Sequence, residues 1–408
     1  MQKSRNSEHG AVSLFVVILA ALLITTVTVA FIRIMIQDQQ QAQANDLSKS
    51  ALDSAYAGVE DAKRLLVQYR KDCPLGPTTP DPRCATMANL MKGQYCDTLQ
   101  RAGIAGATTD KEVLVQQSDA DKQLLQAYTC VKVTLNTDNF LLRPSENGTI
   151  MVPLKSESAF DQVDIEWYSQ KDLTSANMGT TIASPLPLDT KLPKLTDTEW
   201  PKNLPPLLRL QLIQYQNSGF NLSEFDTNTN NATLFLKPGG IDGTGGSLNF
   251  TDNVRRSQGG TPQPILIKCD TAFSTSSTAA TSTIGTDGMY ACRAQISVPD
   301  PVCTAAAAVC ATAGRTAYLR IGEVYASGVD VRVSLWSHGV RRLFDGVQPA
   351  VDSTGRANDL FRRISARINL GGSDIPQVEA AVDITGSLCK TFLVTDSAAD
   401  YKPGSCTD

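Results

Sequence analysis

Residues 11–69 read AVSLFVVILAALLITTVTVAFIRIMIQDQQQAQANDLSKSALDSAYAGVEDAKRLLVQY, and this stretch decides what the rest of the chain can be. Its first part, Ala11 to Ile32, carries no charge, no Pro and no Gly. As a helix rising 1.5 Å per residue, these about 22 residues extend roughly 33 Å, enough to cross the hydrocarbon core of a bilayer. Arg33 ends the uncharged run, where its guanidinium can snorkel to the interface. Lys3 and Arg5 on the short N-terminal side predict an N-in, C-out topology.

A secretory signal peptide would carry a shorter apolar segment, a small-residue cleavage site and then a turn-prone start. Here no breaker intervenes: there is no Gly after Gly10 until Gly58, and no Pro. On a 100° wheel Leu47, Ala51, Ala55, Gly58, Val59, Ala62, Leu65, Leu66 and Tyr69 fall within about 120°. Lys49, Asp53, Glu60, Asp61, Lys63 and Arg64 lie on the other side, with Tyr56 an exception among them. The spacing predicts one helix from Ala11 to Tyr69, roughly 90 Å long. Its first half is apolar all round; its second half has a single stripe that something globular must cover.

The whole chain, 408 residues with 42% hydrophobic and 19% charged, is too polar for a multi-span membrane protein and too apolar for a disordered one. A net charge of -4 points to no dominant polyanion-binding role. The ten cysteines, at 73, 84, 96, 130, 269, 292, 303, 310, 389 and 406, include no CxxC pair. Only His9 and His338 add imidazoles, so disulfides formed in an oxidising compartment are expected rather than metal or cofactor. Connectivity stays open. Pairing of neighbours is the simplest scheme: Cys73–Cys84, Cys96–Cys130, Cys269–Cys292, Cys303–Cys310 and Cys389–Cys406.

A short charged leader ending in Gly10, followed by a small residue and a membrane helix that turns amphipathic, resembles a type IV prepilin. GAVSLFVVILAALL and the small-residue-rich SALDSAYAGVEDAKRLL are similar to PilX-like minor pilins or pseudopilins, over about the first 70 residues. The resemblance implies cleavage by a membrane prepilin peptidase between Gly10 and Ala11, and packing of the N-terminal helix, from Phe15 through Arg33, against other pilin subunits. Major pilins carry Glu at the fifth mature position. Phe15 stands there, which implies a minor subunit at the tip or in assembly priming. The resemblance further implies residence in the cytoplasmic membrane before assembly, then in an extracellular filament.

Beyond the helix, alternating segments predict strands at 127–135, 159–168, 207–215, 233–236, 265–269, 289–298, 317–326, 329–336, 363–370 and 388–394, with a helix near 85–102. The Ser327-Gly328 join reads as a hairpin that favours antiparallel pairing. The expected class is α+β: a long N-terminal helix packed on an antiparallel sheet head with a large β-rich insertion. The expected divisions are a leader at 1–10, the helix at 11–70, the first part of the head at 71–170, a Pro/Thr/Gly-rich β insertion at 171–290, and the C-terminal part of the head at 291–408.

No Walker A loop, GxGxxG or HExxH is present, and an enzyme is not expected. Asp226, Asn228 and Asn230 begin like a calcium loop, but Asn231 and Lys237 stand where Gly and Glu are required, so an Asx-rich turn is the plainer reading. Arg320, Arg332, Arg362 and Arg363 form a candidate patch for DNA or another anionic surface polymer if they share one face; a solvated face is the plainer alternative. The expected function is a structural or adhesive minor pilin. The alternative is a single-pass, signal-anchored ectodomain that binds a glycan or protein outside any filament.

Overall fold

The structure is a computed structural model. It describes residues 9–74, 76–105, 112–115, 125–144, 148–156, 158–172, 200, 203–216, 230–239, 247–250, 264–270, 290–298, 315–325 and 328–370. The fold is α+β, with one long N-terminal helix and several sheets. The chain divides into two compact units, Met1–Val133 with Val351–Ala366, and Thr134–Ala350 with Arg367–Asp408.

In the first unit, helix α1 (His9–Asp72) runs unbroken for 64 residues, about 96 Å at the helical rise. Two shorter helices follow, α2 (Pro82–Lys92) and α3 (Thr98–Arg101). A single helix near 85–102 was expected; instead Gly93 ends α2, and Gln94 takes a positive φ of 52° that a helix cannot accommodate. Asp81 caps α2 by accepting from the Arg83 amide at 2.9 Å, with Pro82 in the first turn, where its missing N–H costs nothing. Disulfides Cys73–Cys84 and Cys96–Cys130 tie α2 to the end of α1, and the segment before α3 to strand β2.

Four strands make the sheet of this unit, in the order β1 (Val113–Leu114), β2 (Ala127–Thr134), β14 (Ala350–Ala357), β15 (Leu360–Arg367). The second half of α1 lies on it. Ala51, Ser54, Ala55, Gly58, Val59, Ala62, Leu65, Leu66 and Tyr69 are buried, at the three- and four-residue intervals of one helix face. In β14 burial alternates strictly, with Val351, Ser353, Gly355 and Ala357 inward.

The contact between helix and strand is closer than side chains normally allow. A Cβ on Gly355 would stand 2.2 Å from both the Ala51 carbonyl oxygen and the Ala55 nitrogen. A Cβ on Gly58 would stand 2.4 Å from Ser353 Oγ and 2.8 Å from Val131 Cγ2. The backbones of α1 and β14 therefore meet almost bare, which explains the small residues on both sides.

The second unit is built from two sheets. One is ordered β13 (Val340–Arg342), β12 (Val331–Ser337), β5 (Gln162–Ser169), β10 (Tyr290–Ser297), β8 (Ser247–Asn249), with β3 (Phe140–Leu142) also paired to β12. The other is ordered β4 (Thr149–Pro153), β11 (Arg315–Val324), β6 (Leu207–Gln216), β7 (Asn231–Gly239), β9 (Ile265–Lys268). One apolar cluster joins them: Val163, Ile165, Trp167, Val331 and Val333 from the first meet Leu208, Leu210, Leu234, Leu319 and Ile321 from the second. Cys269–Cys292 links the end of β9 to β10, opposite the fully buried Trp167.

Two expectations need correction here. The pairing is mixed, because β8 runs parallel to β10 and β9 parallel to β7. The strands on either side of the Ser327-Gly328 join do not pair as the expected hairpin: β11 pairs with β4 and β6, while β12 pairs with β3, β5 and β13 of the other sheet. The reason is that Leu319 and Ile321 line the shared core from one side and Val331 and Val333 line it from the other, so the chain must cross between layers. The strand expected at 388–394 lies outside the described residues.

Gly355→Ala is expected to destabilise the first unit by at least the about 1–3 kcal/mol usual for overpacking, since backbone rather than a movable side chain opposes the new methyl. Thermal or urea unfolding of the full chain in detergent measures it, and a midpoint equal to the wild type contradicts the close approach.

Candidate functional site

The residues with the clearest relation to a surrounding medium are in the first half of α1. From Leu14 to Asp46 every described side chain is exposed, including Phe15 at 68% and Phe31 at 69%. The helix is long and apolar enough to cross a membrane, with an 18-residue window of mean hydropathy 2.8, none of it buried. Among the described side chains three hydroxyls interrupt the apolar surface, and each is satisfied within the helix. Thr25 Oγ1 donates to the Leu22 carbonyl at 2.9 Å, Thr26 Oγ1 to Leu23 at 2.9 Å and Thr28 Oγ1 to Ile24 at 2.8 Å. Such back-bonding leaves none of these three hydroxyls in need of water, as a lipid environment requires. Arg33 follows the uncharged run directly, with Ile34, Met35 and Ile36 beyond it. Gly10 and Ala11 fall in the first turns of α1, and the side chains before Leu14 lie outside the described residues.

The second half of α1 is fastened to its sheet by polar contacts at the edges of the buried stripe. Tyr128 Oη in β2 donates to Asp61 Oδ2 at 2.8 Å, and burial together with that carboxylate raises the phenol above its ordinary range. Arg362 Nε in β15 donates to Ser48 Oγ at 2.7 Å. Ser54, fully buried in the stripe, bonds back to the Ser50 carbonyl at 2.9 Å and so needs no partner in the sheet.

The other sequence candidates are scattered. Arg320 lies on β11 and donates to Thr149 Oγ1 at 2.9 Å. Arg332 lies on β12 in the other sheet, buried, with Nε 2.6 Å from Glu166 Oε2 and its guanidinium over the Tyr290 ring. Arg362 and Arg363 are neighbours on β15 and alternate in direction; Arg363 pairs with Asp352. No one sheet face carries the four, and Arg332 is committed to Glu166 in a pair whose disruption costs about 3–5 kcal/mol. Asp226 and Asn228 lie outside the described residues, while the Asn230 carbonyl accepts from the Gln214 amide at 2.8 Å. Cys303, Cys310, Cys389 and Cys406 also lie outside them. Among the described residues no group of three or more His, Cys, Asp or Glu is arranged to hold a metal.

His338 sits near Ser337 and Asp161 without forming a triad. Ser337 Oγ is 3.1 Å and Asp161 Oδ2 3.7 Å from the same ring nitrogen, Nδ1, and the side chain is 89% exposed. A relay needs the hydroxyl on one nitrogen and the carboxylate on the other.

One group of side chains escaped sequence reasoning: Arg143, Ser169, Asp172, Glu323 and Asp330 converge in the second unit. No local spacing announces them, since Asp172 and Asp330 are 158 positions apart. Comparison of the chain with protein-family models, curated proteins and solved structures returns no match.

Replacing Leu22, in the middle of the apolar run, by Asp is expected to disfavour membrane insertion by about 2.5–3.5 kcal/mol and to move protein from the membrane to the soluble fraction. Alkaline extraction of membranes measures it; unchanged retention of Leu22→Asp contradicts a bilayer-spanning helix.

Proposed function

We propose that this chain is a minor subunit of a type IV pilus or related filament, with a structural or adhesive role. The observation that carries the reading is the form of α1: 64 residues without a break, bare and apolar in its first half, covered by a sheet of the same unit in its second. A subunit that leaves the membrane to join a filament needs such a helix, because the same apolar surface must be served first by lipid and then by neighbouring helices. A plain membrane anchor has no reason to continue as one rod into the core of an exported domain.

On this reading the leader is removed between Gly10 and Ala11, the N-terminus faces the cytoplasm, and the cysteine-bearing units lie outside the membrane. Phe15 takes the fifth mature position. A carboxylate there would have to be paired within a packed helical core, whereas Phe makes no such demand and suits a subunit placed at the tip or in assembly priming. The four-stranded sheet belongs to the pilin-like head, and the β-rich insertion expected at 171–290 falls within the second unit, whose residues 134–350 lie in the chain between β2 and β14. The alternative, a signal-anchored ectodomain for a glycan or protein, shares the apolar helix but not the processing.

N-terminal sequencing of the protein from its native membrane tests the proposal. A mature start at Ala11, together with recovery in sheared filament fractions, is the expected result. A start at Met1 in protein found only in membranes overturns it in favour of the anchored ectodomain.

A further inference from the structure

At one end of the second unit's sandwich, four segments meet around three carboxylates. Asp172 closes the 3-10 turn Gln170–Asp172 that follows β5, and its side chain is 2% exposed. Glu323 follows Ala317, Leu319 and Ile321 on the inward face of β11, at the point where that apolar row ends. Asp330 immediately precedes β12, and Arg143 immediately follows β3. Arg143 spans two of the three acids, 3.0 Å from Asp172 Oδ1 and 2.8 Å from Asp330 Oδ1. One guanidinium thus faces three carboxyl groups. Lys171, on the same turn, is exposed.

The hydrogen bonds do not balance unless an additional proton is present. Asp172 Oδ2 accepts from the Ser169 amide at 2.7 Å and the Asp330 amide at 3.1 Å. Ser169 Oγ lies 3.0 Å from Asp172 Oδ2 and also 2.9 Å from Asp330 Oδ2. A hydroxyl has one proton to give and spare lone pairs to receive, so it can serve only one of two ionised carboxylates. The second contact becomes a bond when one carboxyl is protonated and donates to Ser169 Oγ. Ser169 Oγ also accepts from the Lys171 amide at 3.2 Å, which fixes the hydroxyl in place.

We propose that the Asp172–Ser169–Asp330 bridge, with Arg143 and Glu323 beside it, holds a resident proton and acts as a proton-dependent clasp joining the ends of β5 and β11 to the start of β12. Electrostatics of the surrounding groups agree. Burial raises Asp172 above the usual carboxylate range, with Asp330 adding to the effect and the Ser169 and Asp330 donors opposing it. Burial pushes Glu323 up to about 8; Asp172 adds to this, while the Val329 and Gly328 amides and Arg143 oppose it. Tyr168, next to the turn, is pushed up to about 12 by burial and Asp172, so its phenol stays neutral and supplies no charge.

The direction of the pH effect follows. An acid whose native value is raised binds its proton more tightly in the folded state, so stability falls as pH rises from the unfolded value of 4.5 through about 8. Below that window Glu323 is neutral beside the bridge and the clasp is closed; above it Glu323 is charged and the carboxylates repel one another.

Hydrogen exchange of the full chain in detergent micelles, corrected for intrinsic rates, reads the clasp directly. The Ser169, Val329 and Asp330 amides are expected to lose about tenfold or more of their protection between pH 6 and pH 9, while Leu319 in the middle of β11 does not. In Glu323→Gln/Asp330→Asn, neutral amides replace two of the acids and the loss should disappear. Arg143→Met, on a half-exposed side chain, should move the wild-type step to higher pH by removing the cation that opposes proton retention. Constant protection at Ser169 and Asp330 across this range in the wild type overturns the proposal, as does a step in the double variant equal to that of the wild type. If the double variant does not fold, an Arg143→Met step that stays in place or moves to lower pH overturns it equally.

Discussion

The first unit depends on one steric constraint: α1 and β14 approach until backbone touches backbone. Gly355 has no room for a Cβ against Ala51 and Ala55, and Gly58 has none against Ser353 and Val131. Burial of alanines and glycines removes little apolar area per residue, about 25 cal/mol for each Å². The stripe compensates further along with Val59, Leu65, Leu66 and Tyr69, all buried. The small residues therefore set the distance between helix and sheet, and the larger ones toward the end of the helix supply most of the hydrophobic stabilisation. The Tyr128–Asp61 and Arg362–Ser48 bonds then fix rotation about the helix axis, which a smooth small-residue contact would leave free.

The second unit solves a different problem. Its two sheets share a continuous core of Leu, Ile, Val and Trp, yet the opposite face of the six-stranded sheet is also largely buried and is charged. On the three central strands, Asp164 meets Arg293 at 2.6 Å and Glu166 meets Arg332. In β5, Val163, Ile165 and Trp167 face the core while Asp164 and Glu166 face away, so the strand is buried on both sides with opposite chemistry. Such pairs contribute little net stability, but they strongly penalise a shift of register. A slip of one residue would place carboxylates in the apolar core.

How much of this was legible in the sequence varies with the element. The whole of α1 and its buried face could be read, because a long uncharged run and a three-four repeat are local signals. Two positions differ: Leu47, expected in the stripe, is only half-buried, and Ser54 belongs to it as a polar residue that bonds to its own helix. Strand β14 was missed although it is the strand α1 rests on. Its inward positions after Val351 are Ser353, Gly355 and Ala357, and the same close approach that makes it important removes the apolar alternation by which strands are recognised. The three-residue strands β3, β8 and β13 are too short to show a period at all. The helix candidate site was therefore readable, whereas the carboxylate clasp was not, since its members are brought together only by the sandwich.

The position of β14 and β15 in the chain has a consequence for the order of events during synthesis. Ser48 and Arg362 are separated by 314 residues, and β14, against which Ala51 and Ala55 pack, emerges only after residues 134–350 of the second unit. Until then β2 can already meet Gly58 and Asp61, but the part of the helix face around Ala51 and Ala55 lacks the strand it rests on. Non-local closure of this kind is slow and exposes the chain to aggregation. Premature termination between Thr134 and Val351 would leave the Ala51–Ala55 part of that face open, so such shortened products are natural substrates for chaperones and proteases.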